Sequence, residues 1–188
     1  MACAGATTSD VLSSQVSALS ASTTLVSITI GGNDAGFSSV METCVLRSTS
    51  SCLNAVLAAK TFVASQLPAR LDTTLQAIRA HAPRATIVVL GYPDLYDLSK
   101  SGTCIGLSTK DRSALNGGAD ALDNALRTAA VANRDTFADV SGRFAGREIC
   151  DSGSWLHSVD ILALSSSYHP TASGQEHGYL PVFTGAAG

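Results

Sequence analysis

One short run constrains the fold more than any other: Ala85-Thr86-Ile87-Val88-Val89-Leu90, almost continuously apolar and stopped by Gly91. A strand with one wet face alternates apolar and polar residues, whereas a strand apolar at nearly every position has both faces covered, the usual condition inside a parallel sheet. Parallel neighbours are joined by long crossovers, normally helices, and the flanking sequence supplies them. From Leu53 to about Ala82 the residues Leu67, Leu71, Leu75 and Ile78 recur three or four apart, and Pro68 marks a kink or a second helix start. A further helical stretch runs from about Ser108 to Arg134 through Leu115, Ala119, Leu122, Leu126 and Ala129, tolerating Gly117-Gly118. Two more strands bracket the set: Leu25 to Ile30, which ends abruptly at Gly31-Gly32, and Thr136 to Val140. The order strand, helix, strand, helix, strand predicts a three-layer α/β domain with a mostly parallel sheet and right-handed crossovers. Ligands bind such sheets beyond the carboxyl ends of the strands, which is where Gly31-Gly32-Asn33-Asp34 falls.

Composition narrows the partners. A chain of 188 residues, 45% hydrophobic, without repeats or long charged blocks, suits a single domain over residues 1–188. With 14% charged residues and a net charge of -3 there is no basic field, so nucleic acid is not an expected partner. No apolar run approaches the ~18 residues of a membrane span, so stable membrane insertion is not expected, and MACAGATTSD carries neither a basic nor an apolar export region. Cys44 and Cys52 are spaced to close a small loop, and Cys104 and Cys150 suit a longer bridge, a usage that points to an extracellular protein. Cys3 is then left over; either its partner lies upstream of Met1 or it is a buried free thiol. The histidines and cysteines show no metal-ligand spacing, so neither a metal nor a cofactor is expected.

Two motifs carry chemistry. In Gly31-Gly32-Asn33-Asp34-Ala35-Gly36-Phe37 the glycines permit a sharp turn, after which the Asn33 amide is placed either as a donor into a cleft, as an oxyanion hole needs, or in an ordinary Asx turn. In Tyr168-His169-Pro170-Thr171-Ala172-Ser173-Gly174, Pro170 stiffens the turn and Thr171 or Ser173 is placed to cap a following helix, which holds His169 in one orientation. A general base needs that fixed ring.

Taken together, GGND and YHPTASG resemble the SGNH or GDSL hydrolase family, especially the small secreted lipases and esterases of actinomycetes, over essentially the whole chain. The resemblance implies a flavodoxin-like α/β/α fold and hydrolysis of a small-molecule ester or lipid, with Asn33 in the oxyanion hole and His169 as base. It also matches Ala2–Thr8 to the family's second block, with Gly5 as a backbone donor. The first block, a Gly-Asp-Ser carrying the nucleophile, does not occur in the sequence. The resemblance therefore places the serine and the family's first strand upstream, in a segment expected to be linked through Cys3, and predicts a sheet lacking that inner strand. Where many members carry an aspartate three residues before the histidine, this chain has Ser166, so the backbone carbonyl of Ser166 is expected to orient His169 as one half of a dyad.

The same residues allow other readings. The chain could be an inactive fragment or binding module of the same fold, or a flavodoxin-like nucleotide binder, for which GGNDAGF is a poor phosphate loop. Ser154 and Ser158 are substitute nucleophiles without an elbow to present them. His157 either lines the cleft or is structural beside Trp155, and His81 and His177 read as surface residues.

Overall fold

The protein is described here by a computed structural model covering residues 3–100, 106–158 and 167–188. Three parallel strands form one sheet in the order β1 (Leu25–Ile28), β2 (Thr86–Leu90), β3 (Thr136–Ala138), with Leu25 opposite Thr86 and Val88 opposite Thr136. The outer strands are shorter than the sequence suggests. Ile30 and Val140 are still buried, but in the turns that leave the sheet, Val140 as the cap of the next helix. Among the described residues no strand pairs with the outer edge of β1.

The helices are α1 (Thr8–Ser13), α2 (Phe37–Leu46), α3 (Thr49–Ser65), α4 (Leu67–His81), α5 (Thr109–Ala132), α6 (Ser141–Phe144) and α7 (Leu180–Ala187), the last continuing from a π-helical segment Gly174–Tyr179. The stretch from Leu53 to Ala82 is two helices, with Pro68 in the first turn of α4, where a missing N–H leaves no hydrogen bond unmade. Helix α5 starts at a reciprocal cap: Ser108 accepts from the Asp111 amide, and the Asp111 carboxylate accepts from the Ser108 amide. Gly117 and Gly118 lie on its side toward α3, where an added Cβ would approach Lys60 Nζ to 3.7 Å and Val56 Cγ1 to 3.8 Å. Helix α2 is absent from the sequence reading. The Cys44–Cys52 disulfide ties it to α3.

Strand β2 explains the layering. Ile87 and Val89 join Leu67, Leu71, Leu75 and Ile78 of α4 in one core, while Val88 and Leu90 join Phe144 and Tyr179 in another. The sheet is the middle of three layers, as its apolar central strand requires. Cys150 is disulfide-bonded, and Cys104 lies outside the described residues. Cys3 is free and exposed, which overturns the alternative of a buried thiol. No helix among the described residues is long and apolar enough to cross a membrane.

Candidate active site

The turn after β1 is held by its own backbone. Ala35 N donates to Gly31 O, Gly36 N to Asn33 O and Phe37 N to Gly32 O, and Gly31 takes a φ of 105°, a left-handed conformation suited to glycine. From this turn two consecutive side chains reach back to the start of the chain. Asn33 Nδ2 donates to Ala6 O at 3.0 Å. The Asp34 carboxylate, whose side chain is 0% exposed, accepts from Thr8 N at 2.9 Å and Thr8 Oγ1 at 2.5 Å and pairs with Arg70 at 3.5 Å. Gly5, at φ 79°, is thereby fixed beside Asn33 although 28 residues separate them. An amide NH2 has two donors; one fixes the Asn33 rotamer on Ala6 O, and the other remains for a ligand.

His169 comes to the same cleft from the far end of the chain. Its segment pairs with residues 156–157 through His157 N to His169 O and Tyr168 N to His157 O, both 2.9 Å. Thr171 Oγ1 then accepts from Gly174 N at 3.1 Å, starting the C-terminal helix. Gly174 has no room for a Cβ because Trp155 O lies against it. His169 Nδ1 lies 3.1 Å from Ser167 O. A carbonyl only accepts, so Nδ1 is the donor in this contact, which leaves Nε2 as the nitrogen able to take a proton. Ser166, to which the sequence reading gave this carbonyl, lies outside the described residues. Tyr168 adopts a φ of 65°, rare for a large residue, where the chain doubles back between Ser167 and the ring, and its own ring packs edge-on against Phe37 of α2 at 5.9 Å.

Gly5, Asn33, Ser167 and His169 line one cleft of about 1570 Å³. Much of its wall is apolar, including Met41, Val56, Leu122, Leu180 and Phe183, and one side is formed by Ser27 and Ile28 at the edge of β1. The other candidates stand apart. His157 is exposed and does not line this cleft, and neither do Ser154 and Ser158. Ser154 Oγ instead closes a small turn with Leu156 O and N. His81 and His177 are exposed, as expected. Reading the sequence missed Asp34, whose partner is 26 residues away, and Tyr92, which packs under Gly32.

A profile of the GDSL-like Lipase/Acylhydrolase family matches residues 1–177. Lipase 1 of Streptomyces coelicolor is 53% identical over 186 residues, which is 99% of this chain and 69% of that protein. Among solved structures, phospholipase A1 from Streptomyces albidoflavus NA297 superposes with a TM-score of 0.95 at 51% identity, covering 100% of this chain and 79% of that one. The extracellular lipase from Streptomyces rimosus gives a TM-score of 0.94 at 47% identity, covering 98% and 78%. Fold, profile and relatives agree: the chain belongs to the GDSL-like lipase/acylhydrolase family of ester hydrolases.

Proposed function

We propose that the protein hydrolyses acyl esters of lipids or phospholipids, with His169 as general base and Asn33 and Gly5 as oxyanion donors. The observation that carries this reading is the cleft in which Gly5 and Asn33, the latter bonded to the Ala6 carbonyl next to Gly5, share a wall system with a histidine whose Nδ1 is spoken for. In the first step a serine hydroxyl attacks the ester carbonyl and passes its proton to His169 Nε2. Negative charge then grows on the carbonyl oxygen, where the second Asn33 N–H and the Gly5 amide oppose it. As the intermediate collapses, His169 returns the proton to the leaving alcohol, and a water activated by the same ring releases the acyl group.

The serine belongs, in this reading, to a segment preceding residue 1 that also supplies a strand against the free edge of β1 and links to Cys3. The edge of β1 beside the cleft, unpaired among the described residues, supports the strand, and the exposed Cys3 thiol, which also lines the cleft, supports the link. Residues 1–188 then belong to one catalytic domain, and the cysteine usage together with the extracellular S. rimosus relative supports export. The test is hydrolysis of p-nitrophenyl acetate and p-nitrophenyl palmitate by the 188-residue chain and by an upstream-extended protein. Turnover only in the extended form, abolished by His169→Ala and reduced ~10²–10³-fold by Asn33→Ala, is the expected result. Equal turnover by the short chain would refute the upstream nucleophile, and none in either form would favour a binding module.

A further inference from the structure

The carboxyl end of β2 has a role that the reaction as described does not use. Gly91 and Tyr92 leave the strand gripped from three sides. Gly91 N donates to Ala138 O at 3.0 Å, Tyr179 Oη donates to Gly91 O at 3.2 Å, and Tyr92 N donates to Asp123 Oδ1 at 2.8 Å. The fit is close: a Cβ on Gly91 would run into Asp123 Oδ2 and come within 2.9 Å of Phe137 Cζ. From this anchored point the Tyr92 side chain crosses to the neighbouring strand end, where its Oη accepts from Gly32 N at 3.3 Å. A Cβ on Gly32 would lie 3.2 Å from that oxygen, so the ring fills the space under the turn. Asn33 is the next residue.

We propose that Tyr92 is a positioning residue for the Asn33 donor, with Asp123 as the buried anchor that fixes Tyr92. The inference rests on the reading of Asn33 as an oxyanion donor, a role that requires its amide to be held within about 0.5 Å of the productive geometry. Tyr92 meets Gly32 by a hydrogen bond, and its phenol fills the place that a side chain at residue 32 would take, so moving the phenol moves the turn. Burial pushes the phenol's pKa up, and it stays neutral through the working range. Asp123 is surrounded by Asp120 and Arg127 on its own helix, Asp139 beyond β3, Tyr92 after β2 and Tyr179 in the π-helical segment. Burial is the largest influence and pushes its carboxyl up to about 7. The Tyr92 amide and Arg127 oppose the rise, while Asp139 and Asp120 add to it. The anchor therefore changes charge near neutrality, which gives the coupling a spectroscopic signature.

The experiment is a pH titration of amide resonances by ¹H–¹⁵N NMR on the labelled 188-residue chain, from pH 5 to 9. The amides of Tyr92 and Gly32 should shift with a common midpoint near 7. That component should persist in His169→Ala and disappear in Asp123→Asn, whose Oδ1 still accepts from Tyr92. In Tyr92→Phe the residue-92 amide should still titrate, the Gly32 amide should not, and the Asn33 side-chain NH2 pair should shift or broaden. In the catalytically competent protein Tyr92→Phe should lower kcat by ~10- to 100-fold at unchanged KM, and should cost nothing further once Asn33→Ala is present. Unmoved Gly32 and Asn33 resonances in Tyr92→Phe, or additive losses in the double variant, would overturn the proposal. The NMR arm needs no turnover, so failure of the hydrolase reading alone would leave it intact.

Discussion

Asp34 offers the sharpest test of how the site is assembled. Its side chain is 0% exposed, and both oxygens are committed to Thr8, one to the backbone amide at 2.9 Å and one to the hydroxyl at 2.5 Å. Thr8 is 2% exposed and opens α1, so its amide has no partner within the helix. Asp34→Ala removes two hydrogen bonds to a charged acceptor, each worth ~1.5–3 kcal/mol, and leaves two buried donors unsatisfied. Arg70, half exposed at 48%, adds at most ~1 kcal/mol. Relaxation and water entry will recover part of this, and about 3–4 kcal/mol of lost stability is the expected net. Thr8→Val removes only the hydroxyl bond and should cost about 1.5 kcal/mol, with a coupling to Asp34→Ala of at least ~1 kcal/mol. Urea unfolding followed by far-UV circular dichroism, on the two single variants and the double, measures all three quantities. A loss below ~1 kcal/mol for Asp34→Ala, or a coupling within ~0.3 kcal/mol of zero, would refute the idea that this carboxylate holds residues 5–8 against the Asn33 turn.

Three further predictions follow from the same geometry. Asp123 is protonated in the folded state up to about 7 but only up to about 3.8 when unfolded, so between those values the folded chain holds the extra proton and stability falls as pH rises. Asp123→Asn should remove a decline on the order of 4 kcal/mol across that window, and an unchanged pH dependence of the urea midpoint would contradict the buried carboxyl. Replacing Cys44 and Cys52 by serine opens a loop of sequence separation 8 and should cost about 2.5 kcal/mol by calorimetry, with no loss counting against a contribution from loop closure. Gly178→Ala places a Cβ 2.6 Å from Phe144 Cζ and should destabilise by ~1–3 kcal/mol, whereas Gly185→Ala, with nothing within 4 Å, should change stability by less than ~1 kcal/mol; equal melting temperatures would be the contrary result.

How much of this was legible depended on whether the signal was local. Ile87 to Leu90 announce a strand covered on both faces, and the repeat from Leu67 to Ile78 announces its helix, because burial on a regular element leaves a period in the sequence. Helix α2 left less trace: seven of its ten residues, Phe37, Ser38, Ser39, Val40, Thr43, Cys44 and Val45, are weak helix formers, and the disulfide to α3 supplies part of its support. Asn33 and His169 could be picked out by residue type and neighbours. Asp34 could not, since its meaning lies in Thr8, and no side-chain pattern says which carbonyl will meet an imidazole. That choice is made by the backbone at Tyr168, whose φ of 65° brings the Ser167 oxygen to Nδ1. Tyr92 was hidden for a similar reason: its contact with Gly32 spans 60 residues and exists only once β1 and β2 are in register.

That register has a kinetic consequence. Leu25 meets Thr86 and Val88 meets Thr136, so each ladder joins segments about fifty to sixty residues apart, and the sheet cannot begin to form until large loops have closed. Helices α3, α4 and α5 need no such closure and can consolidate first. Refolding should therefore be slow for a chain of this size, limited by the pairing of β2 with its neighbours. Changes that weaken Val88 or Val89 should retard refolding more than they hasten unfolding, and the Asn33 side of the cleft, which hangs on the end of β1, should be among the last features to appear.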